Sequence, residues 1–370
     1  MKAMGIIFSN IYDSSLGQLT NHRTVASLPF GGRYRQIDFA LSNMSNSGIY
    51  NIGIITKHNY RSLMDHLGSC SAWDLNKKNE GVVFLPPFAE GHTGAVYKGK
   101  LEALYQAIHF INNPTYDYVV VCDSTVLCNV NFKAVIKSHI KSGKDVTAIA
   151  CRVADDKVSP LVIKADADGY VNEMKVDAVP EAGALVGMGM FVISRQLLVE
   201  VIRDSYSRGY IHFERDFLQR RFNAGELTLG AYVFDGVVLH NGTIEKYYEN
   251  NIALLDCSVR EGIFLKDTPI YTKVRDEAPT YYAQGSKVRN CIVADGCVMR
   301  GAVEDSVIFR SVTVEQDASI KSSIIMQGAR IGKGAVLECV ILDKNVVVTE
   351  GACLKGTPAH PVIVKKGETV

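Results

Sequence analysis

The chain has none of the long apolar runs that a bilayer demands: no stretch of its 370 residues approaches the ~20 consecutive apolar positions needed to span one. Nor does it carry an excess of charge of one sign. Forty Lys and Arg against 39 Asp and Glu leave a net charge of +1, with no basic run or stripe, which argues against nucleic acid as a partner. The nine cysteines are odd in number and contain no Cys-x-x-Cys pair, and the N-terminus lacks the charged-then-apolar pattern of a secretory signal. These absences point to reduced thiols in the cytoplasm. What is present is ordinary for a globular chain: at 40.6 kDa and 47% hydrophobic residues there is material for two domains, each with its own core.

Residues 1–256 alternate apolar runs with amphipathic stretches, the pattern of an open α/β sheet with helices on both faces. The clearest strands are expected at 5–9, 52–56, 118–122, 146–150 and 186–193, with helices at 100–111, 132–141 and 197–204. Ligands on such sheets bind at the carboxyl ends of the strands, which puts the loop after Ser9, and Asp123, at a cleft. Beyond a linker at 257–283, which contains Pro269 and Pro279, the texture changes. Apolar residues recur at Ile308, Val314, Ile320, Met326, Ile331, Leu337, Leu342, Val348 and Leu354, in steps of six or five with glycines and small residues between. This is the hexapeptide signature of a parallel β-helix over 284–370, each aliphatic residue pointing inward. Cys291 and Cys297 fit the same ladder, as packed thiols.

The loop from Asn10 to Leu16 is informative on physical grounds alone. A strand-to-helix loop binds a triphosphate when glycines let consecutive N–H groups converge on the oxygens. Here Ile11 and Tyr12 add bulk, Asp13 adds negative charge, and no Lys or Arg lies between Asn10 and His22 to offset it. Such a loop repels nucleotide, unless it is merely a surface turn.

The flanking residues, Leu19-Thr20-Asn21-His22-Arg23 and Phe30-Gly31-Gly32-Arg33-Tyr34-Arg35-Gln36-Ile37-Asp38-Phe39-Ala40-Leu41-Ser42-Asn43, closely resemble the bacterial glucose-1-phosphate adenylyltransferase (ADP-glucose pyrophosphorylase) family. The resemblance extends over essentially the whole chain. It implies a Rossmann-like, glycosyltransferase-A-like nucleotidyltransferase domain followed by a left-handed parallel β-helix. The family's Gly-Gly-x-Gly-x-Arg-Leu loop falls on residues 10–16, and the Lys of its Arg-Ala-Lys-Pro segment falls on Val25. Of its two metal-binding Asp residues, one is kept as Asp123 and the other becomes His240, a poor ligand for a hard cation. Asp123 is therefore only a weak metal candidate, equally readable as a carboxylate capping a turn, and a lone His240 as a hydrogen-bonded structural residue. On the sugar side Glu-Lys-Pro has no counterpart in 171–177, unless Lys175 substitutes from a shifted position, and a pocket Ser becomes Gly187. The adenine-side segment becomes Gly99-Lys100-Leu101-Glu102-Ala103, followed by a retained Tyr105-Gln106.

The relic cleft thus comprises Asn10, Asp13, Val25, Glu102, Gln106, Asp123, Gly187 and His240, with no catalytic residue expected and no cofactor, Mg²⁺ entering only if the chain is active. Arg23, Arg33 and Arg35 are candidates for an anion or effector site, at the start of a helix expected near Gly32. The resemblance implies that the positions of Arg23 and Arg35 belong to the family's allosteric cleft, where a phosphorylated metabolite would bind. Interface ion pairing is the competing reading. Together these features imply a non-catalytic regulatory subunit that joins a catalytic homologue in a hetero-oligomer, expected to be a tetramer, with self-association also open. An active sugar-1-phosphate nucleotidyltransferase with a rearranged site is the alternative. A β-helix acyltransferase is disfavoured, because the only histidine of that domain, His360, lies outside the regular coils.

Overall fold

The computed structural model describes residues 2–10, 13–87, 96–152, 158–166 and 168–370. Ile11 and Tyr12, the bulky pair of the loop, lie outside the described residues.

Among the described residues the apolar runs assemble into a nine-stranded mixed sheet. Ala3–Phe8 lies at its centre, parallel to Tyr118–Asp123 on one side and Ile52–Ile55 on the other. These strands are buried on both faces, which is why they read as continuous apolar runs rather than alternating ones. Parallel register brings their carboxyl ends together: Phe8 is aligned with both Ile55 and Asp123. Leu185–Ser194 then runs antiparallel to Tyr118–Asp123 and, on its other side, to Val146–Cys151, the latter pairing irregular between Gly187 and Met190.

Two helices differ from expectation. The segment 100–111 is two helices, Lys100–Gln106 and Ile108–Ile111. Buried Ala107 shares its N–H between the carbonyls of Ala103 and Leu104, which tightens the turn and breaks the run. The helix expected near Gly32 begins at Gln36. Gly31 and Gly32 instead take φ of 58° and 82° in the turn between the short strands Pro29–Phe30 and Tyr34–Arg35. The first turn of that helix is already served by an internal acid, since Asp38 Oδ2 accepts from the Arg35 N–H at 2.9 Å.

The second half forms three parallel five-stranded sheets, each coil contributing one strand to each, as in a left-handed β-helix. Register stacks Val303 on Ile320 and Ile320 on Leu337 in its interior. One rung of the expected ladder is displaced: Ile325 packs inside the coil stack, while Met326 packs on the outside against the first half of the chain. Neighbouring residues in a strand face opposite sides, so a one-residue slip suffices. Leu16, Phe30 and Phe39 consequently share one apolar cluster with Val307, Ile324, Met326 and Ile341. Two tyrosines reinforce this region, Tyr247 Oη donating to the Pro29 carbonyl at 2.6 Å and Tyr248 Oη to that of Ser322 at 2.5 Å.

Candidate functional site: a cleft sealed by its own charges

At the end of the central strand, Asn10 is fully engaged. Its Oδ1 accepts from Ser9 Oγ (2.7 Å) and the Lys57 N–H (3.0 Å), and its amide donates to the Asp13 carboxylate and the His58 carbonyl (3.3 Å). Asp13 Oδ1 accepts from the Val25 N–H at 2.9 Å, and His58 Nε2 lies 3.6 Å from its other oxygen. The expectation that nothing offsets Asp13 is corrected here: Val25 and His58 are brought to it by the fold, a contribution invisible in the sequence between Asn10 and His22. Burial raises the Asp13 pKa, opposed by the hydrogen bonds from Asn10 and Val25. The loop therefore carries its own anion, which occupies backbone and side-chain donors that an incoming phosphate would need. The side chain of Val25 is fully buried with Leu16, Leu19 and Leu28, so it is a core residue rather than part of the cleft surface.

Asp123 is 2% exposed, and its Oδ2 lies 3.0 Å from the Lys100 ammonium, which also bonds Glu214. The turn-capping reading of Asp123 gives way to this buried ion triad. Burial raises its pKa to about 6, Lys100 opposing and Glu214 reinforcing the rise. Gly189 makes room for the carboxylate: at φ +64°, a Cβ there would come within 2.5 Å of Asp123 Oδ2. Lys100 is the cleft residue that the sequence pattern does not single out. Its signal was position, because Lys100 opens its helix, where a cation opposes the macrodipole.

Glu102 Oε2 accepts from the Lys98 N–H at 2.5 Å and so caps the helix that carries Lys100. Gln106 points a buried Oε1 that finds no partner among the described residues. Gly187 faces Leu161, whose Cδ2 would be 2.7 Å from an added Cβ, so a serine there would displace it. Lys175, the shifted candidate for the missing sugar-side lysine, pairs with Glu173 (2.9 Å) and Glu181 (2.6 Å) on the surface. His240 is aligned with Val126 in a short ladder, and the Asn241 N–H donates to Thr125 O at 2.8 Å, so it stands beside the segment that follows Asp123. Desolvation, with Lys246 nearby, lowers its pKa and favours neutral imidazole.

Mg²⁺ takes carboxylate, water and phosphate oxygens in a near-octahedral shell. These residues do not fit it. The retained carboxylate is bonded to an ammonium, the second position is an imidazole, and among the described residues no cluster of three or more His, Cys, Asp or Glu is placed to hold a metal ion. An open cavity of about 360 Å³ nevertheless persists beside the triad, lined in part by Asn10, Lys57, Lys98 and Arg215.

The three arginines divide. Arg23 is buried and bonds both oxygens of Asp343 in the β-helix at 2.6 and 2.7 Å, each partner's side chain 3% exposed, so the structure places it as a strut between the halves. Arg35 donates to the carbonyl (2.6 Å) and hydroxyl (3.0 Å) of Ser62, and burial lowers its pKa to about 10. Arg33 is exposed, over the Tyr34 ring. Arg33 and Arg35 join Lys273, Arg275, Arg310 and Lys344 around a small pocket of about 30 Å³ between the halves. The Arg310 Nε is buried without a hydrogen-bond partner among the described residues, and burial together with Arg35 and Arg23 pushes Lys344 down to about 6. The last four cations were missed because they lie far in sequence from Arg33 and Arg35. A signal existed: coil partners such as Ser306 and Ser323 are 17 residues apart, and Arg310, Gln327 and Lys344 follow the same interval.

Residues 6–256 match the nucleotidyl transferase family and residues 278–358 the GlmU-like C-terminal hexapeptide family. The chain is 34% identical over 364 residues to the glycogen biosynthesis protein GlgD of Bacillus subtilis, covering 98% of this chain and 96% of that one. It is 30% identical over 359 residues to the glucose-1-phosphate adenylyltransferases of Bacillus thuringiensis and Bacillus anthracis, covering 96% of this chain and 95% of each. No helix among the described residues is long and apolar enough to cross a membrane.

Proposed function

This chain belongs to the nucleotidyl transferase family, in its glycogen-biosynthesis branch of glucose-1-phosphate adenylyltransferases and GlgD, and from that premise we propose that it is a regulatory subunit with little or no activity of its own. The observation that carries this reading is the buried Lys100 ammonium bonded to Asp123, the acid the family resemblance assigns to metal. Its partner is a catalytic homologue that makes ADP-glucose from ATP and glucose 1-phosphate, and the cationic pocket between the two halves takes a phosphorylated metabolite.

The test is co-expression with a catalytic glucose-1-phosphate adenylyltransferase. A stable hetero-oligomer should form whose maximal rate, substrate affinity or effector response differs from that of the catalytic subunit alone, since ~1 to 3 kcal/mol of coupling shifts an affinity about 5- to 150-fold. Separate elution on size exclusion, with the catalytic kinetics unchanged by a molar excess of this chain, defeats the proposal.

The pocket makes a prediction about pH. Lys344, its pKa lowered to about 6, gains its proton as pH falls through that value, so anion affinity should rise on going from pH 8 to pH 6. Sulfate, whose charge is constant over this range, is the probe for calorimetry. Lys344→Met should flatten the dependence; a profile unaltered by that substitution places the anion elsewhere.

A further inference from the structure

Lys100, Asp123 and Glu214 come from three separate elements: the first residue of the helix Lys100–Gln106, the last residue of the strand Tyr118–Asp123 and the first turn of the helical segment Phe213–Gln219. One ammonium bonds both carboxylates, with side-chain exposures of 8%, 2% and 16%. Two acids so close and so desolvated repel each other and must share a positive charge or take up a proton. Lys100 meets that need, and it does so from a helix start where a cation is otherwise disfavoured. Its ammonium also lies 5.7 Å from the centre of the Phe8 ring, whose face favours a cation. Asp123 Oδ1, buried and without a hydrogen-bond partner among the described residues, leaves further acceptor capacity in the same spot.

We infer that the Lys100 ammonium is a tethered stand-in for a divalent cation: it holds Asp123 and Glu214 together, keeps metal out of the cleft, and when removed leaves a two-carboxylate site that takes a divalent ion. An ion such as Mn²⁺ or Mg²⁺ bonds the same carboxylate oxygens that now accept from the Lys100 ammonium. While the ammonium is there, such an ion meets a fixed positive charge in a poorly solvated site, where Coulomb repulsion is strong. Without it, two carboxylates, Asp123 offering its second oxygen as well, face the vacated spot from the end of a strand and the first turn of a helical segment, with Gly189 leaving space beside Asp123. The retained acid of this cleft is thus still served by a cation, one supplied by the chain itself.

The experiment is a Mn²⁺ titration of the full-length chain by electron paramagnetic resonance, in which free Mn²⁺ gives the signal lost on binding. Wild type and Lys100→Arg, both carrying a cation, should take up no more Mn²⁺ than Asp123→Asn. Lys100→Met should acquire one site per chain at least about tenfold tighter than any wild-type uptake, a difference of about 1.4 kcal/mol, and Lys100→Met/Asp123→Asn should lose it. Mn²⁺ should also raise the melting temperature of Lys100→Met but not of wild type, so a variant that is unstable without metal still reports. Wild-type binding that disappears in Asp123→Asn overturns the inference, as does a Lys100→Met protein with wild-type circular dichroism and no added Mn²⁺ uptake. Should Lys100→Met not be recoverable, wild type against Asp123→Asn decides the exclusion and Lys100→Gln, titrated in the same way, decides the vacancy. The titration uses this chain alone, so its outcome is separate from whether the chain assembles with a catalytic subunit.

Discussion

Replacing Arg23 by Ala should cost this chain about 3 to 5 kcal/mol, the loss measured when one partner of a buried ion pair is removed and the other is left unpaired. Asp343 would be that stranded charge, at 3% side-chain exposure and with both oxygens now bonded to Arg23. Domain stabilities run at about 5 to 15 kcal/mol, so a loss of this size moves a urea midpoint visibly. The double variant Arg23→Met/Asp343→Leu should recover more than half of it, because an apolar pair of similar bulk leaves no charge behind. A midpoint for Arg23→Ala within about 1 kcal/mol of wild type, the scale of an exposed pair, would show that the contact is not buried in solution. The sequence invited a different use of this residue, as a probe of effector binding; the fold makes that variant uninterpretable, and Arg310 or Lys344 the better probe.

The isolated chain should release no pyrophosphate above background from ATP and glucose 1-phosphate with Mg²⁺. Removing a single preorganised charge-stabilising group typically costs ~10² to 10³ in rate, and several are altered here, with losses that are not additive. By the family resemblance the loop carries Asp13 where glycines would lie and His240 where a second acid would, and Asp123 is bonded to Lys100. A turnover near the ~10 s⁻¹ typical of enzymes sinks the reading. Val25→Lys alone should not rescue it, since that side chain lies in the apolar cluster with Leu16, Leu19 and Leu28, where an ammonium is expensive to bury. Activity recovered from this one substitution would mean that the residue can turn out toward the cleft.

Fold and cleft were legible to different depths, for physical reasons. The central strands announced themselves because burial on both faces leaves an unbroken apolar run, and the β-helix because each rung repeats the same demand at a fixed interval. Met326 was misplaced because two adjacent buried residues, Ile325 and Met326, serve different cores, and apolarity alone does not say which. Asp123 was readable because it ends a strand at the expected edge. Lys100 was not, because its role depends on Glu214, which no local pattern links to it. Asp13 was read as an uncompensated charge for the same reason: its partners at Val25 and His58 are set by chain crossings. Of the four further cations of the second pocket, Arg310 and Lys344 are brought together by the coil repeat, whereas Lys273 and Arg275 arrive on the connecting segment before the coils, which no pattern places.

The connection between the halves has little mechanical work to do. Its early part is stitched to the first half, with Asn129 Nδ2 donating to Thr268 O at 2.7 Å and the Tyr271 N–H to Ser42 Oγ at 2.8 Å, and Val274 just beyond is 71% exposed. What joins the halves is the apolar cluster that both contribute to, with the Arg23–Asp343 strut across the same seam. Hinge bending would have to prise that cluster into water, at roughly 25 cal/mol for each Å² uncovered. The chain therefore behaves as one stiff body, and a protease nick after Val274 would leave two fragments still clasped together.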